Sequence, residues 1–332
     1  MAITLADIKK LREMTSAGMM DCKNALTEAE GDFKRAVEIL REKGKSTLAK
    51  RGDNETTQGA VLSRINGGKA ILVCLGCETD FVAATPDFKA LAGSIADAAI
   101  ASFPADLEAL KAVKAADGYT LDENITNQAG KTGEKHVLAF YGALEAPYVS
   151  EYVHFNGKLG AIVSFNKAVA PEIARGIAMQ VASMNPVAVD AASVPADVLE
   201  SERTVAIQKT KDEQVQKSVD NALKKAGINP AHVDSEDHIE SNTAKGWLTA
   251  EQAQQAREII AKIGAETLAS LEQKVQMIEG IVKGRIQKFL KENTLMEQEY
   301  QLSDDKKTVK EALAAVDKEA TVLAFKRFSL SD

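Results

Sequence analysis

The most reactive side chains in this sequence are three cysteines, and two of them, Cys74 and Cys77, have the CxxC spacing of redox and metal sites. A redox pair needs a helix N-terminus to lower the pKa of its thiols, whereas Cys74 lies within an alternating, strand-like run. A zinc site needs four ligands, and Cys22 and the four histidines are scattered without ligand spacing. We therefore expect no metal ion and no cofactor, with a thiol enzyme as the alternative.

Motifs for other kinds of catalysis are missing from the sequence. It contains no GxSxG nucleophile turn, no HExxH zinc motif and no phosphate-binding GxxxxGK[ST] loop. The 48 acidic residues suit solvated helix surfaces and need no catalytic explanation. The sequence thus predicts a protein without a reaction centre of its own.

A different kind of candidate is the apolar pair Phe81-Val82 in the polar segment ETDFVA, which follows a strand ending near Cys77. Loops are usually polar, so this pair at a loop tip requires an explanation. It could pack back on the next helix as a hydrophobic staple. It could instead be an exposed aromatic anchor for a partner, a type of residue that contributes about 2 kcal/mol or more to binding. The residues alone leave both interpretations open.

The pair Met19-Met20 poses the same choice on a short predicted helix. Methionine adapts to irregular apolar surfaces and suits partner grooves, but it also fills helical cores. Two adjacent helical residues cannot both point inward, so one of the two methionines is expected at the surface.

The charge distribution disfavours nucleic acid as a direct partner. The chain of 332 residues has a net charge of -7, and residues 1–52 contain 11 Lys and Arg against 8 Asp and Glu, which leaves -10 for the remainder. The remainder should repel phosphate backbones, and the basic segment has a single aromatic residue, Phe33, for stacking on bases. No run of eighteen apolar residues suggests a membrane span, so we expect a cytoplasmic protein.

The periodicity of apolar residues predicts an α+β protein with antiparallel sheets. Residues 4–43 have the pattern of three short helices, ending at Gly44, and the polar residues 45–58 follow as a linker. The segments NGGKAILVCL (66–75) and NGKLGAIVSF (156–165) are related, and each is followed by a helical segment. This repetition indicates a duplicated hairpin-plus-helix core.

Two long helical segments, 195–226 and 249–290, are separated by Gly227 and Asn229-Pro230, which predicts an antiparallel helical hairpin. The predicted division of the chain is a three-helix module (1–44), a linker (45–58), an N-subdomain of the core (59–146), a C-subdomain of the core (147–204 and 276–332) and an inserted helical hairpin, a protruding coiled coil (205–275).

Four segments resemble one known family. Residues 11–42, LREMTSAGMMDCKNALTEAEGDFKRAVEILRE, are similar to the N-terminal module of elongation factor Ts, a three-helix fold like a ubiquitin-associated (UBA) domain. The segment ETDFVA (78–83) is similar to the signature of that family, and residues 281–289 and 307–328 also resemble it. Together these similarities cover most of the chain outside residues 205–275.

This resemblance implies a guanine nucleotide exchange factor for the translational GTPase EF-Tu, acting on EF-Tu-GDP and on the nucleotide-free form. In the family, the TDFV segment enters the GTPase near its magnesium and nucleotide. The residues that would displace the magnesium ion here are Thr79, Asp80, Phe81 and Val82.

The resemblance further implies contacts of the N-terminal module with the nucleotide domain of EF-Tu, through Leu11, Met19 and Met20. His154 and Phe155, at the second hairpin turn, would contact another domain of EF-Tu. The alternative from another class of function is a UBA-like adaptor or scaffold without exchange activity.

Overall fold

The computed structural model describes residues 3–15, 17–303 and 305–331, which fold into two compact units. Unit 1 is Met1–Val189 with Leu295–Asp332, and unit 2 is Asp190–Thr294. The described residues form α-helices and two three-stranded antiparallel sheets, which confirms the predicted α+β class. Among these residues, no helix has the combination of length and apolar content that a membrane span requires.

Unit 1 begins with the predicted three helices, α1 (Leu5–Thr15), α2 (Met19–Glu28) and α3 (Phe33–Lys50). Thr4 and Asp7 cap α1 reciprocally: the Thr4 N–H donates to Asp7 Oδ2 at 3.0 Å, and the Asp7 N–H donates to Thr4 Oγ1 at 3.2 Å. Asp32 caps α3 through the N–H groups of Lys34 and Arg35. The three helices enclose a small apolar core. The likeness to a UBA domain stays a prediction.

The prediction that α3 ends at Gly44 is wrong, because this helix continues to Lys50 and includes residues 45–50 of the predicted linker. Gly44 is buried where α3 packs on α7 (Leu121–Thr132). A Cβ atom at this position would lie 2.2 Å from the carbonyl oxygen of Thr126. The glycine therefore permits close approach of two helices and does not end one.

The first sheet has the order β1-β2-β3, from β1 (Gln58–Asn66), β2 (Lys69–Cys77) and β3 (His136–Glu145). The predicted β1-β2 hairpin is confirmed: Asn66 pairs with Lys69 across the turn at Gly67-Gly68, where Gly67 has a φ of 58°. Between β2 and β3 lie the helices α4 (Asp80–Ala84), α5 (Pro86–Ser102), α6 (Leu107–Lys111) and α7.

The second sheet repeats this plan with the order β4-β5-β6, from β4 (Tyr148–Val153), β5 (Leu159–Phe165) and β6 (Val322–Ser329). The helix after the hairpin is α8 (Pro171–Met184). The predicted duplication is thus present in the secondary structure. Each hairpin is completed by a third strand from later in the chain, β3 or β6.

Unit 1 is layered as helices, sheet, sheet and helices. On β2, alternate side chains such as Ile71 and Val73 pack against α5 and α7, whereas Leu72 and Cys74 pack against the second sheet. On β5, Ile162 faces the first sheet, and Phe165 belongs to the core under α8. The central strands β2 and β5 are therefore buried on both faces.

Unit 2 consists of α9 (Ala196–Lys225), α10 (Glu236–Ala244), α11 (Ala250–Gln273) and α12 (Val275–Asn293). The end of α9 shares a cluster with the start of α11, through Leu223 and Ala253. Its earlier part shares another cluster with α12, through Ala206 and Val282. The predicted antiparallel hairpin is present, with α10 added at its turn, and the helix α9 spans about 45 Å at 1.5 Å per residue.

Two of the predicted domain boundaries differ in how they fit the secondary structure. The boundary at 204/205 lies inside α9, whereas the boundary at 275/276 lies within two residues of Lys274, which separates α11 from α12. The remaining part of unit 1 contains α13 (Val309–Val316) and β6. The division of the core into two subdomains stays a prediction.

Candidate functional site

The ETDFVA segment forms the short helix α4, which has a threonine at each end. Thr79 is its N-cap and accepts the N–H of Val82 on Oγ1 at 3.3 Å. Thr85 follows α4, donates its hydroxyl to the Val82 carbonyl at 2.8 Å and accepts the N–H of Phe88 as the N-cap of α5. The expected loop is therefore one turn of helix between two caps.

The two apolar residues of α4 have different environments. Val82 is half-buried and packs against the core between the first sheet and its helices. Phe81 is 83% exposed. Of the two interpretations left open above, the staple applies to Val82, and Phe81 is presented to solvent. Asp80 beside it is also exposed, and its Oδ1 accepts the N–H of Phe81 at 2.9 Å.

The start of α4 is held by Glu134, which precedes β3. The N–H of Thr79 donates to Glu134 Oε2 at 3.1 Å, and the Thr79 hydroxyl donates to Oε1 of the same carboxylate at 2.7 Å. The Cys77 thiol donates to the Thr79 carbonyl at 3.3 Å. Three contacts to one residue thus fix where the helix begins.

Glu78, the preceding residue, is connected to the segment that follows α3. Its carboxylate accepts hydrogen bonds from the Arg51 guanidinium at 2.6 Å, the Asn54 amide at 2.7 Å and the Lys135 N–H at 2.5 Å. Burial would raise the pKa of Glu78, but these three donors together hold the pKa below its ordinary value. The Lys135 ammonium closes the cluster by donating to the carbonyls of Gly52 and Asn54.

The residues that hold α4 could not be found from the sequence. Glu134 and Lys135 lie more than fifty positions after Thr79 and Glu78. No local pattern pairs such distant residues. The local feature at these positions is the charged pair Glu134-Lys135 just before β3, and the strand β3 itself was not predicted.

His136 follows Lys135 at the start of β3 and is buried. Its ring Nδ1 is 3.0 Å from the Glu134 carbonyl, and its ring centroid is 5.7 Å from that of Phe88. Burial lowers the pKa of His136. Burial therefore favours the neutral form of this imidazole.

A second exposed aromatic residue is at the β4-β5 turn. Phe155 is 93% exposed, and its ring centroid lies 4.4 Å from that of His154. His154 is half-buried and is oriented by the Tyr152 hydroxyl, 2.8 Å from its Nδ1. The turn thus presents a large apolar ring on a defined support.

The three residues predicted to contact a partner from the N-terminal module differ in exposure. Met20 is 64% exposed, and Met19 is half-buried against the core of the module. Leu11 is fully buried in that core. The position of Leu11 does not support a direct contact, because its side chain packs between the helices; Met20 is the available side chain.

The CxxC cysteines do not face each other. Cys74 packs between the two sheets, and Cys77 packs on the helix side of the first sheet. Burial raises the pKa of each thiol to about 12, so neither forms a thiolate readily. Within the described ranges, no three His, Cys, Asp or Glu side chains are grouped as metal ligands.

Comparison with known sequences gives a consistent result over the whole chain. The family model described as Elongation factor TS matches residues 78–226 and 212–332. The chain is 53% identical to "Elongation factor Ts" of Phocaeicola vulgatus and 52% identical to that of Bacteroides thetaiotaomicron, each over 99% of both chains. It is 33% identical to "Elongation factor Ts" of Christiangramia forsetii over 99% of this chain and 98% of the relative. With the capped helix α4 and its exposed phenylalanine in the family's signature segment, the chain belongs to the elongation factor Ts family of translation elongation factors.

Proposed function

We propose that this protein is the guanine nucleotide exchange factor for EF-Tu, binding EF-Tu-GDP and promoting replacement of GDP by GTP. The observation that carries the proposal is Phe81, a large apolar side chain 83% exposed on a helix with a cap at each end. Exposed aromatic residues on rigid supports are typical anchors of protein interfaces. The proposed role places the protein in the cytoplasm, without direct contact to nucleic acid or membrane.

The energetics of exchange require binding and no covalent chemistry. A GTPase that holds GDP at about nanomolar affinity stabilises that complex by about 12 kcal/mol. An exchange factor must bind the nucleotide-free GTPase more tightly than the GDP complex, and by linkage each ligand then weakens the other by the same factor. A protein that presents exposed apolar anchors to a partner satisfies this requirement.

The side chains of α4 suit a magnesium and phosphate pocket. Nucleotide affinity in GTPases depends on the metal ion and on the loop around the phosphates. Phe81 supplies an apolar wedge for this region, and the exposed Asp80 carboxylate next to it has the charge to disturb the magnesium site. Val82 and Thr79 hold the turn to its own subunit, through the core and the cap.

Two further exposed residues support an extended interface with EF-Tu. Met20 on α2 offers an adaptable apolar contact for the nucleotide domain, with Met19 packed behind it in the module. Phe155 on the β4-β5 turn, oriented by His154, offers a contact for another domain. Contacts at several points would give binding that does not depend on Phe81 alone.

The test is the release of a fluorescent GDP from EF-Tu, followed by stopped flow. Phe81→Ala should slow stimulated release at least about tenfold, or about 1.4 kcal/mol of lost transition-state stabilisation, because the wedge is removed while other contacts persist. The matched control is Trp247→Ala, which removes an aromatic side chain that is 60% exposed in unit 2.

With Trp247→Ala as the exchange factor, EF-Tu should release GDP at the same rate as with the unmodified protein. An unchanged rate for Phe81→Ala would contradict the proposed mechanism. The adaptor alternative predicts binding of a partner with no acceleration of GDP release by either form.

A further inference from the structure

We propose that Glu134 is a positioning residue for nucleotide exchange: its carboxylate fixes Thr79 and thereby the direction in which α4 presents Asp80 and Phe81. The inference rests on the proposed function and adds a residue outside the signature segment. It follows from three features of the contact between Glu134 and Thr79.

First, the helix that carries Phe81 is too short to be stable by itself. α4 has five residues, and helices of this length have no stability of their own in water, because nucleation costs more than one turn of hydrogen bonds returns. Its direction is therefore set by the packing of Val82 against the core and by what holds its two ends. At the far end this is Thr85 and the start of α5, and at the near end it is Thr79.

Second, Glu134 sets the orientation of the N-cap hydroxyl. A threonine hydroxyl has one proton to donate and lone pairs to accept. Because Thr79 gives its proton to Glu134 Oε1, a lone pair remains for the N–H of Val82. The same carboxylate accepts the backbone N–H of Thr79 on its other oxygen. Hydrogen bonds to a charged acceptor are stronger than those between neutral groups.

Third, both carboxylate oxygens of Glu134 bond to the same residue. Oε2 accepts the backbone N–H of Thr79 and Oε1 accepts its hydroxyl proton. Glu78, next to Thr79, is occupied separately by Arg51 and Asn54. Of the two carboxylates, only that of Glu134 bonds to the N-cap residue of α4.

The experiment compares Glu134→Ala with Glu108→Ala, a control that removes an exposed carboxylate bonded to Lys111 on α6. For Glu134→Ala we expect the maximal exchange rate to fall about fivefold and the concentration of factor giving half-maximal exchange to change less than about twofold. The control should change neither. Equal maximal rates for the two variants overturn the inference.

A double-mutant cycle distinguishes positioning from general weakening. If Glu134 acts only through the presentation of Asp80 and Phe81, the change Glu134→Ala should cost nothing further in a background that carries both Asp80→Ala and Phe81→Ala. If Glu134→Ala slows exchange by the same factor with and without the changes on α4, the inference is overturned. Glu134→Gln keeps the size and one acceptor, so it should retain an intermediate rate, and it provides the same comparison if the alanine variant does not fold.

Hydrogen exchange of backbone amides gives a readout without EF-Tu. The N–H of Val82 bonds to Thr79 Oγ1 and that of Ala83 to the Thr79 carbonyl, so both amides should exchange faster in Glu134→Ala while those of α5 stay protected. Unchanged protection overturns the inference. Slow GDP release in Phe81→Ala with a normal rate in Glu134→Ala overturns the inference alone, whereas a normal rate in Phe81→Ala overturns the proposed function.

Discussion

The contact between α3 and α7 predicts that a single methyl group will destabilise unit 1. Gly44 lies in the interior of α3, and Gly130 on α7 faces it. A Cβ atom added at Gly130 would lie only 3.1 Å from the Cα atom of Gly44. The change Gly44→Ala places a Cβ atom 2.2 Å from the Thr126 carbonyl oxygen. That oxygen belongs to the backbone of a packed helix, so it cannot rotate away.

The magnitude follows from two opposing effects. Relief of the overlap requires the helices to separate by about 1 Å, and overpacking of this kind costs up to about 3 kcal/mol. Alanine in a helix interior recovers about 1 kcal/mol relative to glycine. The expected net loss is about 2 kcal/mol in the free energy of unfolding, equivalent to a melting temperature lower by about 6 °C for a unit of this size.

The matched control is Gly93→Ala in α5. A Cβ atom at this position meets nothing within 4 Å, and its φ is ordinary for a helix. The same substitution should here stabilise the protein by about 1 kcal/mol, since only the helix propensity changes. Two identical substitutions are thus predicted to act with opposite signs.

The assay is thermal unfolding followed by circular dichroism. Fluorescence from the sole tryptophan, Trp247, reports in parallel on unit 2, whose transition should not change. A Gly44→Ala protein at least as stable as the unmodified one would refute the reasoning, because it would mean that α3 and α7 can separate without loss of stability.

Three further outcomes are expected. With thiol pKa values of about 12, Cys74 and Cys77 should resist alkylation by iodoacetamide at about pH 8 in the folded protein and react after denaturation. Burial lowers the pKa of His136 in the folded state, so the unfolded state binds a proton more readily than the folded state. The contribution of His136 to the free energy of unfolding is therefore fully present above the ordinary pKa of 6.5 and is lost as the pH falls below it. His136→Gln should reduce the accompanying decrease in the melting temperature. Leu223→Ala, at a position 2% exposed in unit 2, should destabilise that unit by about 3 kcal/mol in urea titrations monitored by Trp247 fluorescence, without changing GDP release.

The elements that local patterns specify were predicted well. The two hairpins follow from an Asn-Gly turn between two strand-like apolar segments, because the turn fixes the register of the strands that it joins. The exposure of Phe81 beside the half-buried Val82 was one of two outcomes that the sequence left open, because a short apolar pair after a strand satisfies either.

The failures have a common physical cause, which is contact between residues distant in the chain. Gly44 has the local pattern of a helix end, and only the close approach of Thr126 explains why a glycine lies inside α3. The carboxylate of Glu134 became part of the site only when β3 paired with β2 and brought it next to Thr79. Neither contact has a signature within a window of a few residues.

The insertion of unit 2 into unit 1 has a consequence for assembly. The N–H of Leu295 donates to the carbonyl of Ala188, and that of Met296 to the carbonyl of Val189, each at 2.9 Å, so the points where the chain leaves and re-enters unit 1 lie side by side. Bringing two points of a chain together across a flexible segment costs more conformational entropy as that segment becomes longer. If the segment is already folded and its two ends lie close together, this entropy cost no longer depends on its length. When unit 2 folds first, residues 190–294 therefore act as a short connection between Val189 and Leu295, and the closure that brings β6 to β5 does not depend on how many residues the insert gains or loses.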